Sequence, residues 1–183
     1  MRSHSAPVRW MGLALVVFGL AMVLALAAPP ARADEGGRHR RSLRSEPPDR
    51  RMSGLALAAR LVLAAVFAVA GAAKLRDRPG TVLMLEDFGA PARLASPGAL
   101  LLPVAELAVA VLLLPDATAA AAAAGAVALL AVFIVAIAVN LARGHQPDCN
   151  CFGQLHSEPV GPATLVRNGG LALLAGFVLV AGQ

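Results

Sequence analysis

Five long apolar runs set what this chain can become. They cover residues 10–28, 55–73, 99–114, 117–141 and 163–181. A helix needs about 20 apolar residues to cross the hydrocarbon core of a bilayer. Four of the runs meet that length within its usual scatter. The run 99–114 is short, and Pro97 and Gly98 can extend it. No strand-like alternation competes with a helical reading. The runs are rich in Ala and Leu, which favour helix, and in lipid only helices and closed barrels satisfy the backbone. The composition agrees: 58% of residues are apolar and 15% charged, against about 45–50% and 25% in soluble domains. A disordered chain, a disulfide-rich secreted scaffold and an ordinary cytosolic enzyme are excluded. The expected fold class is an all-α integral membrane protein: a four-transmembrane-helix bundle preceded by a signal- or anchor-like apolar segment.

The first run is unlike the other four. Arg2 and Arg9 precede it, and Ala31-Arg32-Ala33 stands before Asp34. That is the layout of a secretory signal peptide, although the run exceeds the usual apolar span of about 7–15 residues. An uncleaved anchor is the second reading. A start at Met52 is the third. Residues 34–51 carry Arg38, Arg40, Arg41, Arg44, Arg50 and Arg51 among Gly, Ser and Pro, the composition of a polar linker. The chain therefore divides into residues 1–51 and a membrane domain, 52–183.

Charge divides the same way. The formal net charge is +5, and all of it falls within residues 1–51; the body carries equal numbers of each sign. Nucleic-acid binding needs a basic face on a folded domain, and the body has none to offer. In the body, Pro115-Asp116 reads as a tight turn that makes the second and third helices an antiparallel hairpin. Residues 74–97 form a long loop with a short interfacial segment at 82–88, and residues 142–162 form a second. By alternation both loops share one side. They and their flanks carry Lys74, Arg76, Arg78, Arg93, Arg143 and Arg167, against Arg60 on the other side. The positive-inside rule then assigns the loops to the cytoplasm.

The two cysteines of the chain, Cys149 and Cys151, stand one residue apart in Pro147-Asp148-Cys149-Asn150-Cys151-Phe152-Gly153. Side chains at i and i+2 of an extended segment share a face. A disulfide needs Cα atoms about 4.4–6.8 Å apart, so this pair closes only if the backbone bends at Asn150. Strained bonds are the easily reduced, catalytic or regulatory ones. The functional reading is a dithiol that cycles to a disulfide; the plain one is two inert thiols near the membrane surface. Metal binding is a third, since His145, Cys149, Cys151 and His156 make a Cys2His2 set of zinc type. The spacing matches no common zinc motif, and Cu(I) would accept such thiolates more readily.

Ionisable groups within spans are costly and usually functional. Glu106 lies in the middle of its run and needs a partner or a proton. It reads either as a tie between two helices or as a proton relay coupled to thiol chemistry. Arg60 can snorkel or pair, and Asn140 can hydrogen-bond across helices. Lys74 reads as a marker of the headgroup boundary, with pairing to Glu106 as the alternative. Gly71, Ala72 and Ala73, and the small residues at 119–125, permit close helix approach. Hydrolase, phosphate-loop and dinucleotide signatures are lacking.

A set of short strings runs through the body: Phe67-x3-Gly71-x2-Lys74-Leu75, Phe88-Gly89-x-Pro91, Leu102-Pro103-x2-Glu106-Leu107, Arg143-Gly144-x3-Asp148-Cys149-x-Cys151-Phe152-Gly153 and Arg167-Asn168. Together they resemble the MauE family, methylamine-utilisation membrane proteins grouped with a broader DoxX-like set. The resemblance covers about residues 55–181. It implies a four-helix protein of the cell membrane, with no cofactor, that acts at most as a thiol-disulfide electron carrier. It also implies a thioredoxin-like partner and a disulfide-containing client, which for the family is the small subunit of methylamine dehydrogenase. That role implies that Cys149 and Cys151 face away from the cytoplasm, opposite to the charge count.

Overall fold

The computed structural model describes residues 50–144, 148–149, 158–159 and 161–181. The apolar segment 10–28, residues 34–49 of the linker, His145, Cys151 and His156 lie outside the described residues; Arg50 and Arg51, read as linker, begin the first helix. Among the described residues five helices follow one another: α1 (Arg50–Arg76), α2 (Arg78–Asp87), α3 (Ala92–Leu112), α4 (Asp116–Ala142) and α5 (Pro162–Ala181). Four of them, all but α2, are long and apolar enough to cross a membrane. The chain is a multi-pass membrane protein, with four spanning helices among the described residues.

The helices close into a ring, with α1 against α3, α3 against α4, α4 against α5, and α5 back against α1. Leu63, Phe67, Val109, Leu113, Ile137, Ala175 and Val178 fill the middle. Ala119, Ala122, Ala123 and Ala126 turn the alanine stretch of α4 inward, which keeps helix axes close where no large side chain intervenes. The outer faces carry exposed Leu57, Leu61, Val69, Leu173 and Val180. Exposure of that kind suits a hydrocarbon solvent and would be a liability in water.

The short third run resolves by growing backwards. Helix α3 begins at Ala92 and takes in both Pro97 and Pro103. A proline inside a helix leaves the carbonyl four residues earlier without its usual donor, a loss that neighbouring helices can make good in membranes. The interfacial segment also starts earlier than 82. Asp77 caps α2, its carboxylate accepting from the Gly80 amide at 3.0 Å, and Pro79 occupies the first turn, where a missing N–H costs nothing. Gly89, at φ 91°, ends it in a conformation that side chains resist. The second loop contains a two-residue ladder. Strand β1 (Asp148–Cys149) pairs antiparallel with β2 (Glu158–Pro159), Cys149 opposite Glu158, and β1 lies against α2.

At the far end of the bundle Arg60 pairs instead of merely snorkelling. Its Nε donates to the Leu113 carbonyl at 2.9 Å and its Nη2 to the Leu114 carbonyl at 2.5 Å. Its Nη1 meets the Asp116 carboxylate. One guanidinium thus satisfies carbonyls left over at the end of α3 and fastens the Pro115 turn. Asn140 departs from expectation, since its amide donates to Ala136 O at 2.9 Å within its own helix. A buried amide can find its acceptor one turn back.

Helices α1 and α3 approach closely at Gly71. A Cβ there would stand 2.9 Å from Leu107 Cγ and 3.0 Å from the Pro103 carbonyl oxygen. Gly71→Val must therefore push α1 off α3, an overpacking that costs about 1–3 kcal/mol. The thermal midpoint of the detergent-purified protein should fall by several degrees. The same substitution at Gly169, where nothing lies within 4 Å, should leave it nearly unchanged.

Candidate functional site

Lys74 and Glu106 come from different helices and meet inside the bundle. Lys74 is in the last turn of α1, and Glu106 is past the middle of α3. Each side chain leans toward the N-terminus of its own helix. Because α1 and α3 run antiparallel, the two lean toward each other. Lys74 Nζ donates to both carboxylate oxygens, at 2.7 Å and 3.0 Å, and each side chain is only 2% exposed. The ammonium also lies 5.8 Å from the centroid of the Phe133 ring on α4, within cation–π range. Lys74 is therefore a core residue and not a headgroup marker, and of the two readings of Glu106 the geometry displays the helix tie.

The main chain of Lys74 holds a second tie. Thr81 Oγ1, on α2, donates to the Lys74 carbonyl at 3.2 Å and to the Asp77 carbonyl at 2.8 Å. Thr81 is itself 1% exposed. One residue thus links α1 to α3 by its side chain and to α2 by its backbone. Helix α2 in turn carries β1, the strand of Cys149. Cys149 consequently sits at the end of the bundle where α1 finishes and α5 begins. Among the described residues no cluster of three or more His, Cys, Asp or Glu side chains converges.

Beside the ion pair is a cavity of about 40 Å³ lined by Phe67, Lys74, Glu106, Phe133, Arg167 and Asn168, with aliphatic walls from α1, α4 and α5. At about 10–15 Å³ per water it has room for two or three. Three of the five short strings scattered along the sequence converge here. Phe67, Gly71, Lys74, Pro103, Glu106, Leu107, Arg167 and Asn168 all lie at or against this one place. Sequence reasoning singled out Glu106 but gave no site role to Phe133 or Asn168. The available signal for Asn168 was a polar side chain early in an apolar run; Phe133 had none, being one aromatic in an apolar helix.

Comparison with known proteins supplies the family. The profile described as "Methylamine utilisation protein MauE" matches residues 52–181. The chain belongs to the MauE family. Among curated MauE proteins, that of Paracoccus denitrificans is 42% identical over 120 residues, 64% of each chain. That of Methylorubrum extorquens is 51% identical over 86 residues, 46% of each chain, and that of Paracoccus versutus is 44% identical over 120 residues, 64% of each. The chain thus matches less than two thirds of the length of these MauE relatives. No solved structure matches it.

Thr81→Val removes the hydroxyl and keeps the shape. The loss of a buried hydrogen bond of this kind costs about 1 kcal/mol. Amide hydrogen exchange in α2 should accelerate severalfold, while exchange in α4 and α5 stays as in the parent.

Proposed function

We propose that this chain is a redox-accessory protein of the cell membrane that serves methylamine utilisation, passing electrons between a thioredoxin-like protein and a disulfide-containing client. Cys149 and Cys151 are its exchanging pair. What supports the reading is the seat of Cys149. Its strand is fastened to β2 and lies on α2, and α2 hangs from the backbone of Lys74. The backbone of Cys149 is thereby held at the rim of the bundle. The family name carries the link to methylamine.

The chemistry is two thiol–disulfide exchanges. A thiolate of the partner attacks one sulfur of the Cys149–Cys151 disulfide, forming a mixed disulfide and releasing the other sulfur as a thiolate. The partner's second thiol then resolves that bond. The partner leaves oxidised, and Cys149 and Cys151 are left reduced. The same two steps against a client disulfide return the pair to its oxidised form, so two electrons travel from partner to client. The Glu106 carboxylate is engaged with Lys74.

Acid trapping followed by mass spectrometry tests the proposal. The pair should shift between dithiol and disulfide as the ambient redox poise is varied, and Cys149→Ser should accumulate a mixed disulfide through Cys151. A pair fixed in one state at every poise contradicts it. So does normal client maturation in the Cys149→Ser, Cys151→Ser double variant, which would leave the protein a scaffold.

A further inference from the structure

We propose that the apolar run 10–28 stays with the chain as a further spanning helix and packs, antiparallel, on the outer face of α4. The inference does not depend on the redox reading. It begins with what α4 shows to its surroundings. Ala117, Ala121, Ala124, Ala131 and Ala138 are all exposed, and residues three and four apart share one face of a helix. Val135 is the one large apolar side chain exposed on α4. The other three spans present large ones: Leu61 and Val69 on α1, Leu100 and Val111 on α3, Leu173 and Val180 on α5. In a bilayer, small residues mark the faces where helix backbones meet. The inward alanines of α4 already serve the bundle. The outer row is a second face of the same kind, uncovered among the described residues.

The chain itself holds an occupant, the run 10–28, which lies outside the described residues. As a helix rising about 1.5 Å per residue it is long enough to cross a hydrocarbon core of about 30 Å. It also exceeds the apolar span of about 7–15 residues usual in a cleaved signal. Ala14, Ala21, Ala25 and Ala28 recur at helical spacing, so a helix there brings a small-residue row of its own to set against that of α4. Its direction follows from the chain. The residues that follow, 29–49, are polar and rich in Arg and Pro, so a spanning run ends on the side of the membrane where α1 starts. Helix α4 starts on that side too, because Arg60 of α1 meets Asp116, the first residue of α4. The run therefore lies antiparallel to α4, with Ala28 nearest Ala117. Residues 29–49 extend up to about 3.3 Å each, several times the diameter of about 10 Å of a helix, so the linker reaches this face.

Cysteine cross-linking tests the seat, in the full chain carrying Cys149→Ser and Cys151→Ser and held in lipid nanodiscs. The intact mass of the purified chain should include residues 10–28. Under mild oxidation, Ala21→Cys with Ala124→Cys, or Ala25→Cys with Ala121→Cys, should form a disulfide within one chain. Ala21→Cys paired with Val69→Cys on α1 or Leu173→Cys on α5 should react on the order of tenfold more slowly, since the bond needs Cα atoms about 4.4–6.8 Å apart. A second variant reads the same face without cysteines. A face turned to lipid accepts leucine, and a packed one does not, so Ala121→Leu with Ala124→Leu should lower the thermal midpoint by several degrees. A mature chain that begins after residue 28, equal cross-linking to α1 or α5, Ala124→Cys joining two copies instead of closing within one chain, or an unchanged midpoint in the leucine variant would each overturn the proposal.

Discussion

Everything at the functional end of this bundle is referred to one buried ion pair. Lys74 and Glu106 are both taken out of water and out of contact with lipid. Neither charge is tolerable alone in such a place, because the penalty for an isolated buried ion is several kcal/mol. Each is the other's solvation. The pair therefore constrains geometry more than it adds stability: α1 and α3 must lie close enough, and in one register, for Nζ to reach both oxygens. Gly71, three residues before Lys74, makes the approach possible, since its missing side chain leaves room for Leu107 and the Pro103 carbonyl. The charge pair and the glycine are two halves of one contact.

From that contact the order spreads outward. Phe133 brings α4 to the ammonium, and the Lys74 carbonyl brings α2 through Thr81. Helix α2 bears the strand of Cys149. The backbone position of Cys149 is thus referred to contacts made in the membrane interior. At the opposite end Arg60 does a comparable service for the α3–α4 turn. Each end is thus pinned by a cation of α1, one near its start and one near its finish, and the apolar middle is left to close packing.

Much of this was legible in the residues, for physical reasons. Helices in lipid announce themselves by length and apolarity, so four spans, the Pro115 turn and a short interfacial segment between the first two were all readable. The start of α3 was not, because Arg93, Ser96 and Pro97 break the apolar pattern ahead of the run, while a proline inside a helix is tolerated in a membrane. Glu106 stood out because a lone carboxylate in a span is expensive. Its partner did not, because Lys74 closes its run and a lysine there has a cheaper explanation in snorkelling. Only the antiparallel arrangement of α1 and α3 brings together two residues separated by a loop and a whole helix. Asn140 misled for the opposite reason: a polar side chain in a span invites a cross-helix bond, and the acceptor was one turn away. The resemblance carried by the scattered strings was sound, and the fold explains why they recur together, since most of them surround one cavity.

The most direct test of this account is a double-mutant cycle on the ion pair, read as unfolding free energy of the protein in lipid or mild detergent. Lys74→Met and Glu106→Leu each leave an uncompensated buried charge, and each should cost about 3–5 kcal/mol. The double variant replaces the pair by apolar volume and should be markedly more stable than either single one. If the single variants are as stable as the parent, or if their losses simply add in the double, then the two charges are not coupled and the bundle is organised by something else.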